Sequence, residues 1–183
     1  MELVKKTESA NIIKKIILVL LGTLLLTISA KIKVPFYPVP MTMQTFVVVL
    51  IGITFGWKLG LTTIFAYLFE GAVGLPVFAG TPEKGIGISY MVGPTGGYLI
   101  GFIFACMLAG YFQYSKNYFL NFVKILLSTS LIYAFGLLWL GTLIGWDKPI
   151  LKLGMFPFLY AELFKILLLT VIVNKVIKLR NFI

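Results

Sequence analysis

The sequence has 183 residues, of which 60% are apolar and 12% charged, with a mean hydropathy of +1.01 and a formal net charge of +10. A soluble domain carries about a quarter charged residues, so too little polar surface exists here to coat a water-facing fold, and lipid is the expected solvent. The positive charge does not mark a nucleic-acid binder, because the basic residues sit at the ends of apolar runs instead of along one polar face.

Taken in chain order, the first apolar stretch follows Lys14 and Lys15 and runs over 16–32. It is long for a signal core, and only Ser29-Ala30 comes near a small-x-small cleavage site, so it reads as a retained span over about 12–31. Spans two and three, about 43–57 and 59–74, are short and separated by a tight turn at Trp57-Lys58. Such a pair suggests helices that end inside the membrane beside a cavity. Spans four to six cover about 95–113, 122–144 and 158–178. The expectation is an all-α polytopic membrane protein, one transmembrane domain over 1–183 with six helices.

Small residues recur at a four-residue step, as Gly52, Gly56 and Gly60, then Gly97, Gly101, Ala105 and Ala109. They predict close helix packing and nothing about function. The lone cysteine, Cys106, lies inside an apolar run and reads as a core filler. With one cysteine no internal disulfide is possible, and with no histidine the usual general base and the commonest transition-metal ligand are missing.

Orientation follows from the lysines and arginine. An even number of spans puts both termini on one side, with Lys5, Lys6, Lys14, Lys15, Lys58, Lys116, Lys124, Lys175, Lys178 and Arg180. The other side holds Lys31, Lys33, Lys84, Lys148 and Lys152. Both termini are therefore expected in the cytoplasm, and the protein in the cytoplasmic (inner) membrane. The three outer connections are rich in proline and glycine: Pro35, Pro38 and Pro40; Pro76 to Pro94; and Gly145 to Pro157. Such loops on one side of a small bundle read either as a lid over an outward-facing pocket or as ordinary irregular connections.

Few polar groups fall within the spans. Pro157 suits the start of span six, where its missing N–H costs nothing. Glu162 and Lys165 then share a face, three residues apart. Lys165 lies about 12 Å past Pro157 at 1.5 Å per residue, a costly depth unless it meets a partner or a wet cavity. Three readings stand: an ion pair with Glu162 and no ligand, a lysine snorkelling outward, or a site in which Lys165 receives a ligand carboxylate while Glu162 accepts N–H donors. Glu70, near the outer end of span three, is either a pocket residue or an exposed rim residue.

No enzymatic machinery is legible, so a membrane enzyme acting on lipids is disfavoured, while a structural or scaffold membrane protein stays open. Gly80-x-x-x-x-Gly85 is followed by Ile86 and is no phosphate-binding loop. No Gly-x-Ser-x-Gly elbow occurs, and six scattered acids offer no metal site. No selectivity-filter pattern appears either. No cofactor and no catalytic residue are expected.

Three blocks in order resemble the BioY family, the biotin-binding S component of energy-coupling-factor transporters. They are Pro38-Val39-Pro40-Met41-Thr42-Met43-Gln44-Thr45, Gly71-Ala72-Val73-Gly74-Leu75-Pro76-Val77-Phe78-Ala79-Gly80, and Gly93-Pro94-Thr95-Gly96-Gly97-Tyr98-Leu99-Ile100-Gly101-Phe102. An acid and a lysine three apart in the family's sixth helix match Glu162 and Lys165. The resemblance implies a six-helix fold with an outward-facing pocket and biotin as ligand. Its implied partners are membrane lipid, a transmembrane coupling subunit and two ABC-type ATPases, and it leaves homo-oligomerisation open. It implies Lys165 on the valerate carboxylate, Glu162 on the ureido N–H groups, and Gln44, Thr42, Tyr67 and Thr81 lining the pocket. The chain departs from the family pattern at Tyr160-Ala161-Glu162, where the family usually writes Pro-Gly-Asp, and at Glu70, where the family is commonly apolar.

Overall fold

The computed structural model describes residues 2–35, 37–80 and 85–182, with side chains described from residue 11 to residue 180 within those ranges. Its helices are α1 (Glu2–Lys31), α2 (Gln44–Ala72), α3 (Ile88–Met91), α4 (Gly96–Tyr111), α5 (Tyr118–Ile144), α6 (Ile150–Gly154) and α7 (Leu159–Val176). A two-residue ribbon, β1 (Lys33–Val34) and β2 (Met41–Thr42), joins α1 to α2, and short 3-10 turns flank α7.

The 29-residue α2 is not one rod. Gly56 has φ 73° and ψ 171°, a backbone conformation open essentially to glycine alone. In a straight helix residues 52 and 60 stand about 12 Å apart, yet a Cβ added to Gly60 would come 3.6 Å from the Gly52 Cα. The chain therefore reverses at Gly56, and α2 is a hairpin with limbs over 44–55 and 57–72. The expected turn at Trp57-Lys58 is real but begins one residue earlier, because only glycine tolerates that φ. With α1, α4, α5 and α7 the two limbs make six crossings. Among the described residues four helices are apolar and long enough to cross a membrane, with α4 shorter.

Small residues bring these helices together. A Cβ on Gly52 would lie 2.5 Å from the Cys106 carbonyl oxygen, and one on Gly101 would lie 2.6 Å from the Ile132 Cα. The α2 hairpin thus packs on α4 and α4 on α5, backbone to backbone, as the four-residue ladders anticipated. Cys106 is fully buried between them. Helix α1 lies against the outside of the hairpin and turns Ile13, Ile17, Leu20, Leu24 and Ile28 away from the protein.

The two ends of the bundle differ. At one end Arg180 donates from Nη2 to the Gly110 carbonyl at 2.7 Å and lies directly against Gly56. At the other, the proline- and glycine-rich connections fold into the ribbon, α3 and α6, none of which the sequence reading foresaw. Lysines tie the first two connections together: Lys31 Nζ donates to the Phe78 carbonyl at 2.7 Å, and Lys33 Nζ to the Ala79 carbonyl at 2.6 Å. The predicted span six begins as expected, with Pro157 in the 3-10 turn that leads into α7.

Candidate functional site

The site lies where two helix starts meet beneath the loop-rich end. Helix α7 begins after Pro157, so Glu162 falls in its first turn, where the positive end of the helix dipole favours an acid. Lys165 follows one turn deeper on the same face. Opposite them, the ribbon delivers Thr42 to the start of α2, and its first turn presents Gln44 and Thr45.

Lys165 is 4% exposed and Glu162 5%, so the lysine does not snorkel outward. Its Nζ donates to Glu162 Oε1 at 2.6 Å, to the Thr42 carbonyl at 2.6 Å and to Thr45 Oγ1 at 3.0 Å. Thr45 in turn donates its hydroxyl to Glu162 Oε1 at 2.8 Å. An ammonium has three protons to give, and all three are engaged. This is the arrangement a buried ion pair requires: each charge neutralised and its remaining hydrogen-bonding capacity met. Tyr133 of α5 lines the same cavity as Glu162.

A second chain of bonds runs behind this cluster. The Thr42 hydroxyl lies 3.4 Å from Gln44 Oε1, Gln44 Nε2 donates to the Tyr67 hydroxyl at 2.7 Å, and that hydroxyl donates to the Val77 carbonyl at 3.0 Å. Phe78 stacks on Tyr90 with centroids 5.0 Å apart and meets Tyr67 edge-on at 5.4 Å. The connection between α2 and α3 is thereby fixed to the hairpin as well as to α1. Burial holds the Tyr90 phenol above its ordinary pKa, so it faces the site as a neutral group.

Between these elements lies a cavity of about 490 Å³, counted to its open mouth. Thr42, Gln44, Thr45 and Glu162 supply its polar wall; Tyr98, Phe102, Tyr133 and Phe158 supply the aromatic one; Ala79, Tyr90 and Thr95 stand around them. Tyr133 is held between Tyr98 and Phe158, with centroids at 6.0 and 6.4 Å. Tyr133 and Glu162 also border a second cleft, about 820 Å³, that opens between α5 and α7 past Thr129, Ser130 and Leu163. An apolar cup with few polar groups suits a small, mostly apolar ligand recognised by hydrogen bonds at defined points. Among the described residues no three potential metal ligands converge.

Four of the expected site residues come together here: Lys165, Glu162, Gln44 and Thr42. Tyr67 does not reach the cavity wall; it is fully buried behind Gln44, because its hydroxyl is spent bridging Gln44 and Val77. Thr81 lies outside the described residues. Glu70 is half-buried near the C-terminal end of α2, apart from the residues lining the cavity. The sequence reading assigned no role to Thr45, Tyr98, Tyr133 or Phe158. Thr45 carried a usable signal, a polar side chain three residues after Thr42 at a helix start. The aromatic residues carried none, since lipid-facing rings read the same way.

Comparison with known proteins follows the same lines. The model of the BioY family matches residues 4–182. A probable biotin transporter BioY from Pyrococcus horikoshii is 38% identical over 152 residues, covering 83% of this chain and 89% of its own. The biotin transporter BioY from Thermotoga maritima is 35% identical over 158 residues, covering 86% and 92%. A crystal structure of the S-component for biotin from an ECF-type ABC transporter matches with a TM-score of 0.77 at 26% identity, over 92% of this chain and 93% of that one.

Proposed function

The chain belongs to the BioY family, and from that premise we propose that it captures biotin at the loop-rich end of its bundle as the substrate-binding subunit of an energy-coupling-factor transporter. It is a multi-pass membrane protein and a transport component, not an enzyme. Its work is therefore selective binding, with transport driven by ATPases in other chains through a transmembrane coupling subunit. The lysine distribution supports a cytoplasmic membrane location with both termini inside.

The observation that carries this reading is the buried carboxylate of Glu162 on the wall of an aromatic cup. Biotin is a largely apolar bicycle with a ureido ring at one end and a carboxylate tail at the other. Glu162 faces the cavity with an oxygen able to accept the ureido N–H groups, and Lys165 holds that carboxylate in place at 2.6 Å. The carboxylate contact expected of Lys165 requires it to surrender Thr42, Thr45 or Glu162, whereas Glu162 needs no exchange. Glu162 and Lys165 are 2.6 Å apart, so they address one end of the ligand, and the ureido end is the better fit.

A charge-assisted hydrogen bond contributes about 1.5–3 kcal/mol, while nanomolar capture needs about 12 kcal/mol. Most of the affinity must then come from burying the bicycle among Tyr98, Phe102, Tyr133 and Phe158. Titration calorimetry of the purified protein with biotin and with dethiobiotin tests the proposal. Tight biotin binding is expected, weaker for dethiobiotin, which lacks the sulfur ring that fills the cup. Failure to bind biotin with the fold intact overturns it.

A further inference from the structure

With the biotin reading as premise, we propose that Lys33, assisted by Lys31, receives the ligand's carboxylate at the cavity mouth, so that the two ends of one ligand are read by two separate charged sites.

Lys33 pairs directly with Thr42 across the β1–β2 ribbon. Directly opposed residues of an antiparallel pair project from the same face. Thr42 lines the cavity, so the Lys33 stem rises from the cavity face of the ribbon. Its ammonium rests on the Ala79 carbonyl at 2.6 Å, and Ala79 is itself part of the cavity wall. Lys31 rests on the preceding carbonyl, that of Phe78, at 2.7 Å. Two ammonium groups are thus held on consecutive carbonyls of one loop.

Neither lysine forms an ion pair with an acid among the described residues. Each described bond uses one of three N–H donors, leaving protons for an incoming anion. Lys165 is the opposite case, with three donors engaged and its charge matched by Glu162. An anion gains at the mouth, where it relieves repulsion between two like charges. At the floor it would have to displace existing partners. A carboxylate seated on Lys33 and Lys31 would also bridge the connection after α1 to the one after α2, closing the mouth over the ligand.

The test compares biotin with biotinamide, its neutral analogue, by titration calorimetry on the purified full chain. The unaltered protein is expected to favour biotin by about five- to tenfold, the size of a partly exposed charge pair. In Lys33→Gln, and fully in Lys31→Gln/Lys33→Gln, that preference should fall to near unity, biotin then binding no better than biotinamide. A preference that persists in the double variant and vanishes only on replacing Lys165 overturns the assignment and moves the carboxylate to the floor. If the unaltered protein binds neither compound, the biotin reading falls and this assignment with it. Binding of both with the preference intact in the double variant sinks this assignment alone.

Discussion

Gln44 and Tyr67 stand 23 positions apart in the chain and 2.7 Å apart in space, one on each limb of the α2 hairpin. Because the Tyr67 hydroxyl passes the bond on to Val77, a single phenol holds both limbs and the connection after α2 in register. Tyr67→Phe keeps the ring and leaves a buried amide N–H and a carbonyl without partners. The expected cost is about 1–3 kcal/mol of stability, with a weaker loss of biotin affinity through Gln44. Thermal unfolding in detergent measures it, and an unchanged midpoint would show the relay to be dispensable.

Stability and binding should separate at the ion pair. Lys165→Met alone strands the Glu162 carboxylate in a dry setting and is expected to cost about 3–5 kcal/mol. Adding Glu162→Gln removes the stranded charge, so the double variant should recover to within about 1 kcal/mol of the unaltered protein. Its biotin affinity should stay lower by about 10- to 100-fold, the worth of a charge-assisted contact. Melting curves and titrations run side by side decide it; a double variant that binds biotin normally contradicts a role for Glu162.

The Tyr133 ring is the wall between the cavity and the cleft toward α5 and α7. Tyr133→Ala should merge the two spaces and lower biotin affinity by about 10- to 100-fold through lost burial. Tyr133→Phe keeps the wall and should lose less than about tenfold. Equal losses in both variants would mean that the hydroxyl, and not the ring, carries the effect.

Gly56 and Gly74 both have positive φ, at 73° and 95°. A Cβ at Gly74 meets nothing nearer than Ile86 Cγ2 at 3.9 Å, whereas one at Gly56 comes within 2.7 Å of Arg180 Nη2. Gly74→Ala should therefore cost only backbone strain, about 1–2 kcal/mol. Gly56→Ala should cost more, since it also unseats the guanidinium from the turn. Similar losses of thermal midpoint for the two variants would deny Arg180 a part in holding the hairpin.

The six crossings were legible because long apolar runs leave few alternatives, and Glu162 with Lys165 stood out because charge inside such a run is costly. What escaped was decided by contacts distant in sequence. The turn was placed at Trp57-Lys58, but the backbone needed the φ of Gly56. The ribbon, α3 and α6 are each five residues or shorter, too brief for periodicity to reveal and held by their neighbours. Tyr67 was expected to line the pocket on the family resemblance alone; its hydroxyl is instead engaged by Gln44 and Val77. Lys31 and Lys33 were counted as flanking charges, since nothing in their spacing discloses the carbonyls of Phe78 and Ala79.

The seat of Arg180 against the Gly56 turn and the Gly110 carbonyl has a bearing on assembly in the cell. The ribosome delivers residue 56 well before residue 180, so the hairpin is made before its fastening exists. Newly inserted molecules would then pass through a loosened form until the segment carrying Arg180 arrives to close the turn.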